Sequence, residues 1–118
     1  MKFFLIISSF LLSFALLNCK QSTSIVEEPD WIKELITKYQ NDPVGNPPQS
    51  IWEYEYKGRI VYYVPPQCCD QFSVLFDAKG NAICAPDGGI TGTGNGQCPD
   101  FFQLRKNEKL IWKDSRTR

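Results

Sequence analysis

The side chains of this chain that could do chemistry are cysteines and carboxylates. The sequence has five cysteines and no histidine. Without an imidazole, a serine or cysteine nucleophile lacks its usual base, and the common zinc sites lack a usual ligand. Those hydrolase classes are therefore set aside, and no catalytic residue is assigned. Carboxylate chemistry remains, with Glu53, Glu55, Asp70, Asp77, Asp87 and Asp100 as its candidates. None stands at a spacing that marks an acid–base pair. Glu53 and Glu55 alternate along one strand-like run and read as its solvated face.

Cys19 differs in kind from the other cysteines. It follows Met1-Lys2, an apolar run from Phe3 to Leu17, and Asn18. Charge, apolar core and cleavage site in that order make a secretory signal. The apolar run is short for a membrane-spanning helix. Leu16-Leu17-Asn18-Cys19 resembles a bacterial lipobox, in which the cysteine thiol is diacylated and becomes the new N-terminus. Asn18 stands where most lipoboxes carry Gly, Ala or Ser. Several acyl chains on one residue give stable anchoring, which a single chain does not. The expectation is a signal peptide over residues 1–18, lipidation at Cys19, and a location on the bacterial cell envelope. Residues 19–29 are polar and aperiodic, as suits a flexible tether.

Basic and acidic residues balance at 13 each, and removal of the signal takes away Lys2 alone among them. With no basic excess or stripe, nucleic acid is not an expected partner. What remains has room for one small domain, which at this size is marginal without reinforcement. Cys68, Cys69, Cys84 and Cys98 offer it as two disulfides in an exported chain. A vicinal Cys68–Cys69 bridge would strain the peptide between them, so the expected pairings staple that corner to Cys84 and to Cys98. Closing a loop of about 15 residues contributes on the order of 3 kcal/mol. The paired knuckles of structural zinc sites are missing from the spacing, so neither metal nor cofactor is expected.

Asp87 to Gln97 is glycine-rich, and glycine lets backbone approach a ligand closely. Gly92-x-Gly94-x-Gly96 superficially resembles a phosphate loop, but the Walker lysine is missing and no strand–loop–helix unit surrounds it. Asp87, Thr91, Thr93 and Asn95 could offer oxygens to calcium, yet only one is a carboxylate and no glutamate closes the loop. The segment is read as a tight bridged loop whose polar side chains point to water. The alternative is a ligand-binding or enzymatic domain that gathers Asp70, Asp87 and Asp100 around it.

The elements that position these residues follow from periodicity. Trp31, Ile32, Leu35, Ile36 and Tyr39 fall on one helical face, with Asp30 as cap and Pro43 as the stop. Glu34 and Lys38 are an i,i+4 pair. Strands are expected over 51–56, 59–64, 72–76 and 82–84, with Lys57-Gly58 as a hairpin turn and Gly80 in the next turn. Asp100 is set to cap a short helix over 100–104, and Leu110-Ile111-Trp112 to add a last strand. The fold class is α+β: one N-terminal helix packed on a small antiparallel meander over 30–114, disulfide-stabilised, with a glycine-rich loop and a polar tail over 115–118. The helix face absorbs about half of the sheet's aromatics, leaving some tyrosines on the far side for solvent or a partner.

From Asp30 to Asp114 the chain resembles an uncharacterised, Bacteroidota-type family of small bacterial lipoproteins. The resemblance is carried by Tyr62-Tyr63-Val64-Pro65-Pro66-Gln67-Cys68-Cys69-Asp70, Asp77-Ala78-Lys79-Gly80-Asn81, Cys84-Ala85-Pro86-Asp87-Gly88-Gly89, Cys98-Pro99-Asp100-Phe101-Phe102 and Leu110-Ile111-Trp112-Lys113-Asp114. It implies a lipoprotein and brings no activity. The helix-then-meander order is also similar to small periplasmic inhibitory modules of the PepSY and β-lactamase-inhibitor kind, a likeness of fold that does not fix function. The function expected is a membrane-anchored, non-enzymatic binding module with a protein partner in the envelope.

Overall fold

The computed structural model describes residues 26–117 apart from Cys69. The signal segment 1–18, Cys19, most of the 19–29 tether and Cys69 lie outside the described residues.

Helix α1 runs Asp30–Asn41. Pro29, with φ −54° and ψ 145°, is the cap position, and its carbonyl accepts from Ile32 and Lys33. Asp30 is therefore the first helical residue and not the expected cap. A fixed proline φ already orients the entry, and the Asp30 carboxylate favours the first turn by its charge. Lys38 pairs with Asp42 at 2.8 Å, in place of the expected Glu34.

Five antiparallel strands follow, β1 Ser50–Tyr56, β2 Arg59–Val64, β3 Val74–Asp77, β4 Ala82–Cys84 and, after the short helix α2 Phe101–Leu104, β5 Lys106–Lys113. Their spatial order is β4-β3-β2-β1-β5. The β1–β2 turn has both residues in the left-handed region, Lys57 at φ 51° and Gly58 at φ 76°, the pattern that matches strand twist in a two-residue hairpin. At φ 87°, Gly80 closes the β3–β4 turn; a Cβ there would stand 2.7 Å from the Trp31 ring. Trp31 Nε1 also donates to the Ala78 carbonyl at 3.1 Å. Helix and turn are thus latched to each other.

Both faces of the sheet are covered. α1 lays Trp31, Leu35, Ile36 and Tyr39 on Ile51, Tyr62, Val64 and Phe76. The opposite face buries Tyr54, Tyr56, Val61, Tyr63 and Leu75 around Phe101 and Cys98. Tyr54, Tyr56, Tyr62 and Tyr63 are all at most 8% exposed, so no sheet tyrosine is left for solvent. The four-residue α2 supplies the cover that sequence periodicity does not reveal. Glu53 and Glu55 alternate with Ile51 and so lie on the α1 side, half-buried, and not on an open solvated face.

The C-terminal residues complete the helix. Arg116 donates to the Tyr39 and Gln40 carbonyls at 2.8 and 2.9 Å. It also holds the buried Asp114 carboxylate at 2.7 Å, which keeps that carboxyl below its ordinary pKa.

Candidate functional site

Cys84 is bonded to Cys98, with Cα atoms 6.1 Å apart. Neither pairing of the Cys68-Cys69 corner with these cysteines therefore forms. Cys98 is buried in the Phe101 cluster and Cys84 packs against that cluster, so the bridge closes across the two ends of the glycine-rich loop. Cys68 is disulfide-bonded as well.

The bridged segment is held along its length. Ser73 Oγ donates to the Asp87 carbonyl at 3.0 Å and accepts from the Asp87 amide at 3.1 Å. Asn95 Oδ1 accepts from the amides of Ala85 and Gln97, both at 3.2 Å. A Cβ on Gly94 would meet the Ala85 carbonyl at 2.0 Å, and one on Gly88 the Gln71 carbonyl at 2.3 Å. These glycines let backbone pack on backbone, and no ligand is needed to explain them. The expectation that Asp87 and Asn95 point to water is corrected: both side chains bind the protein itself.

Around Phe101 stand three tyrosines, each with its hydroxyl on a carboxylate. Ring centroids of Tyr54, Tyr56 and Tyr63 lie 5.5, 5.4 and 5.6 Å from that of Phe101, where aromatic pairs attract beyond simple burial. Tyr63 donates to Asp87 at 2.9 Å, Tyr56 to Asp100 at 2.5 Å and Tyr54 to Glu108 at 2.5 Å. Burial, with the Glu108 hydrogen bond second, pushes the Tyr54 phenol up to about 12. Burial and then Asp87 raise Tyr63 as well. Asp100 is held below the ordinary carboxylate range by Tyr56 and then by Lys57, whose Nζ is 3.1 Å away. Arg105 donates to the Tyr54 hydroxyl at 2.9 Å and lies over the Tyr54 and Phe102 rings, 4.8 and 4.9 Å from their centroids. Such phenol–carboxylate hydrogen bonds fix the positions of the rings and occupy the carboxylates that a general acid or base would need free.

Asp70, Asp87 and Asp100 are consequently not gathered. Asp87 and Asp100 serve different tyrosines, while Asp70 is exposed beside Phe72 and Ile90 in a hollow of about 290 Å³. Phe72 has left the expected strand to bridge Gly88, with its ring 2.6 Å from where a Gly89 Cβ would stand. It remains 53% exposed, and Ile90 is 91% exposed. Glu108, Arg105 and Phe101 escaped sequence reasoning. Glu108 sits in a polar stretch, and its partner Tyr54 lies 54 residues away.

Among the described residues no cluster of His, Cys, Asp or Glu could hold a metal ion, and no helix is long and apolar enough to cross a membrane. No curated protein and no solved structure matches the chain. A family model does match, over residues 37–114, from the second half of α1 to the end of the sheet. The chain belongs to the family described as Domain of unknown function (DUF6970).

Proposed function

We propose that this protein is a lipid-anchored, non-enzymatic interaction module of the bacterial cell envelope, tethered through Cys19. The observation that carries the binding part is Ile90. A large apolar side chain 91% exposed sits on a segment made rigid by a disulfide, the Ser73–Asp87 pair and Asn95. Rigid scaffolds that present apolar loop residues serve recognition. With Phe72 beside it and Asp70 at its rim, the surface suits an apolar protein segment flanked by a cation. Enzymatic use of the carboxylates is the weaker reading, because Asp87 and Asp100 already serve separate tyrosines.

Anchor and contact are tested separately. Cys19→Ser should move the protein from the membrane fraction to the soluble one; retention on membranes after a high-salt wash would refute the anchor. A photo-crosslinker at position 90 should capture a defined envelope protein. Capture should fail when Phe72→Ser is added and when the crosslinker is moved to position 113. The same products from both positions would refute a contact at Ile90.

A further inference from the structure

The end of the sheet that carries the β1–β2 hairpin is at once basic and apolar. Pairing sets Arg59 opposite Tyr56, Lys106 opposite Glu55 and Asp77 opposite Val61. The starts of β2 and β5 and the turn 77–81 therefore meet there. A hollow of about 590 Å³ opens at this end, walled by Ile60 and Ile83 and flanked by Arg59 and Lys79. A second, of about 170 Å³, adds Leu104 and Lys106. Ile60 and Ile83 are each 42% exposed and Leu104 is 45% exposed.

The three cations Arg59, Lys79 and Lys106 form no ion pair among the described residues. Carboxylates at the same end are already engaged. Asp77 accepts from Lys79 N, Asn81 N and Asn81 Nδ2 within its own turn. Tyr56 and Lys57 occupy Asp100, and Glu55 accepts from Asn107 at 2.9 Å. Lys57, Arg59, Lys79 and Lys106 stand against Glu55, Asp77 and Asp100 at this end, one cation in excess, in a chain whose basic and acidic residues are equal in number.

We propose that this end of the sheet docks on the anionic phospholipid surface of the bilayer that holds the protein. The inference rests on the anchor at Cys19 read above. Long cationic side chains keep their heads at the phosphates while apolar neighbours enter the interface. Each positive charge in excess at such a surface contributes about fivefold in partitioning, so the single excess cation here gives on the order of fivefold, reduced by salt. Residues 19–29, however they are arranged, reach at most about 40 Å. The domain therefore meets this surface at high effective concentration, whatever other partners are present. An acidic protein would satisfy the same charges but would have to be supplied, whereas the bilayer is always within reach.

The test uses the acylated protein in phosphatidylcholine vesicles with and without phosphatidylglycerol, read by amide hydrogen exchange. Segments 57–60 and 78–83 should exchange at least about threefold more slowly with phosphatidylglycerol present. The difference should vanish in Arg59→Glu/Lys79→Glu and at high salt, with the rest of the sheet unchanged. Equal exchange in both vesicle types, with the protein still pelleting in both, overturns the docking and leaves the anchor standing. Failure to pellet with either vesicle overturns both readings. Pelleting only with phosphatidylglycerol, and only without the charge reversal, supports the docking and removes the anchor. If a polyglutamate peptide slows these segments where phosphatidylglycerol does not, the surface belongs to an acidic protein and the proposal is wrong.

Discussion

Phe101→Ala should remove the cover of one entire face of the sheet. Phe101 is fully buried and holds the rings of Tyr54, Tyr56 and Tyr63 within 5.6 Å. Truncation of a buried phenylalanine costs about 3–5 kcal/mol, and the upper part of that range applies here. Three tyrosines lose a shared ring contact, and a four-residue helix has little else to dock it. A domain of this size has about 5–10 kcal/mol in total, so about half its stability is at stake. At about 4–8 °C per kcal/mol, the melting temperature should fall by about 16–40 °C. Phe102→Ala is the control, since that ring is 40% exposed; it should cost about 1 kcal/mol or less. Urea unfolding followed by near-ultraviolet circular dichroism measures both. Equal losses from the two substitutions, or a loss below about 1.5 kcal/mol for Phe101→Ala, would refute the claim that Phe101 organises this face.

Asp87→Ala with Asn95→Ala should cost about 2–4 kcal/mol, because a buried Tyr63 hydroxyl loses its acceptor and two backbone amides lose theirs; a total under about 1 kcal/mol in denaturant melts would mean that the loop is merely a solvated turn. Cys84→Ser with Cys98→Ser opens a bridge spanning 14 residues and should cost about 3 kcal/mol, read as a lower melting temperature that reductant lowers further by less than it lowers that of the parent protein. Tyr54 and Tyr62 titrate near 12 in the fold against about 10 when unfolded. Their contribution is thus complete below about pH 10 and is lost as pH rises from 10 towards 12. Thermal melts should stay level up to pH 10 and then fall, with phenolate absorbance appearing together with unfolding; phenolate formed at pH 10 in a folded protein would contradict the burial.

What the sequence made legible was local. Alternation located β1, the Lys57-Gly58 and Gly80 turns marked β2 and β4 as return strands, and the spacing of Trp31 to Tyr39 located α1, because each signal comes from residues adjacent in the chain. What it hid depends on partners far apart in the chain. Only Leu110-Ile111-Trp112 betrayed β5, since Lys106 to Lys109 have no alternation and pair simply because β1 has a free edge. Asp100 follows the sequence signature of a helix cap, yet its carboxylate turns to Tyr56, 44 residues away. The bridge from Cys84 to Cys98 could not be chosen over its rivals without knowing that α2 folds back beneath the sheet. Three tyrosine–carboxylate pairs likewise have no motif; they exist only once Phe101 has brought their rings together.

Arg116 gives the fold an order of assembly. The carbonyls it satisfies, those of Tyr39 and Gln40, belong to the first element of the domain to be synthesised, and they lie 76 and 77 residues upstream. The Tyr39 and Gln40 carbonyls therefore wait for this partner until residue 116 has emerged. A chain of this kind cannot finish folding early. For a protein read as exported that is an advantage, since a polypeptide must stay threadable until it has crossed the membrane. It also makes position 116 a point where truncation would be felt at the end of a helix far away in sequence but in direct contact in space.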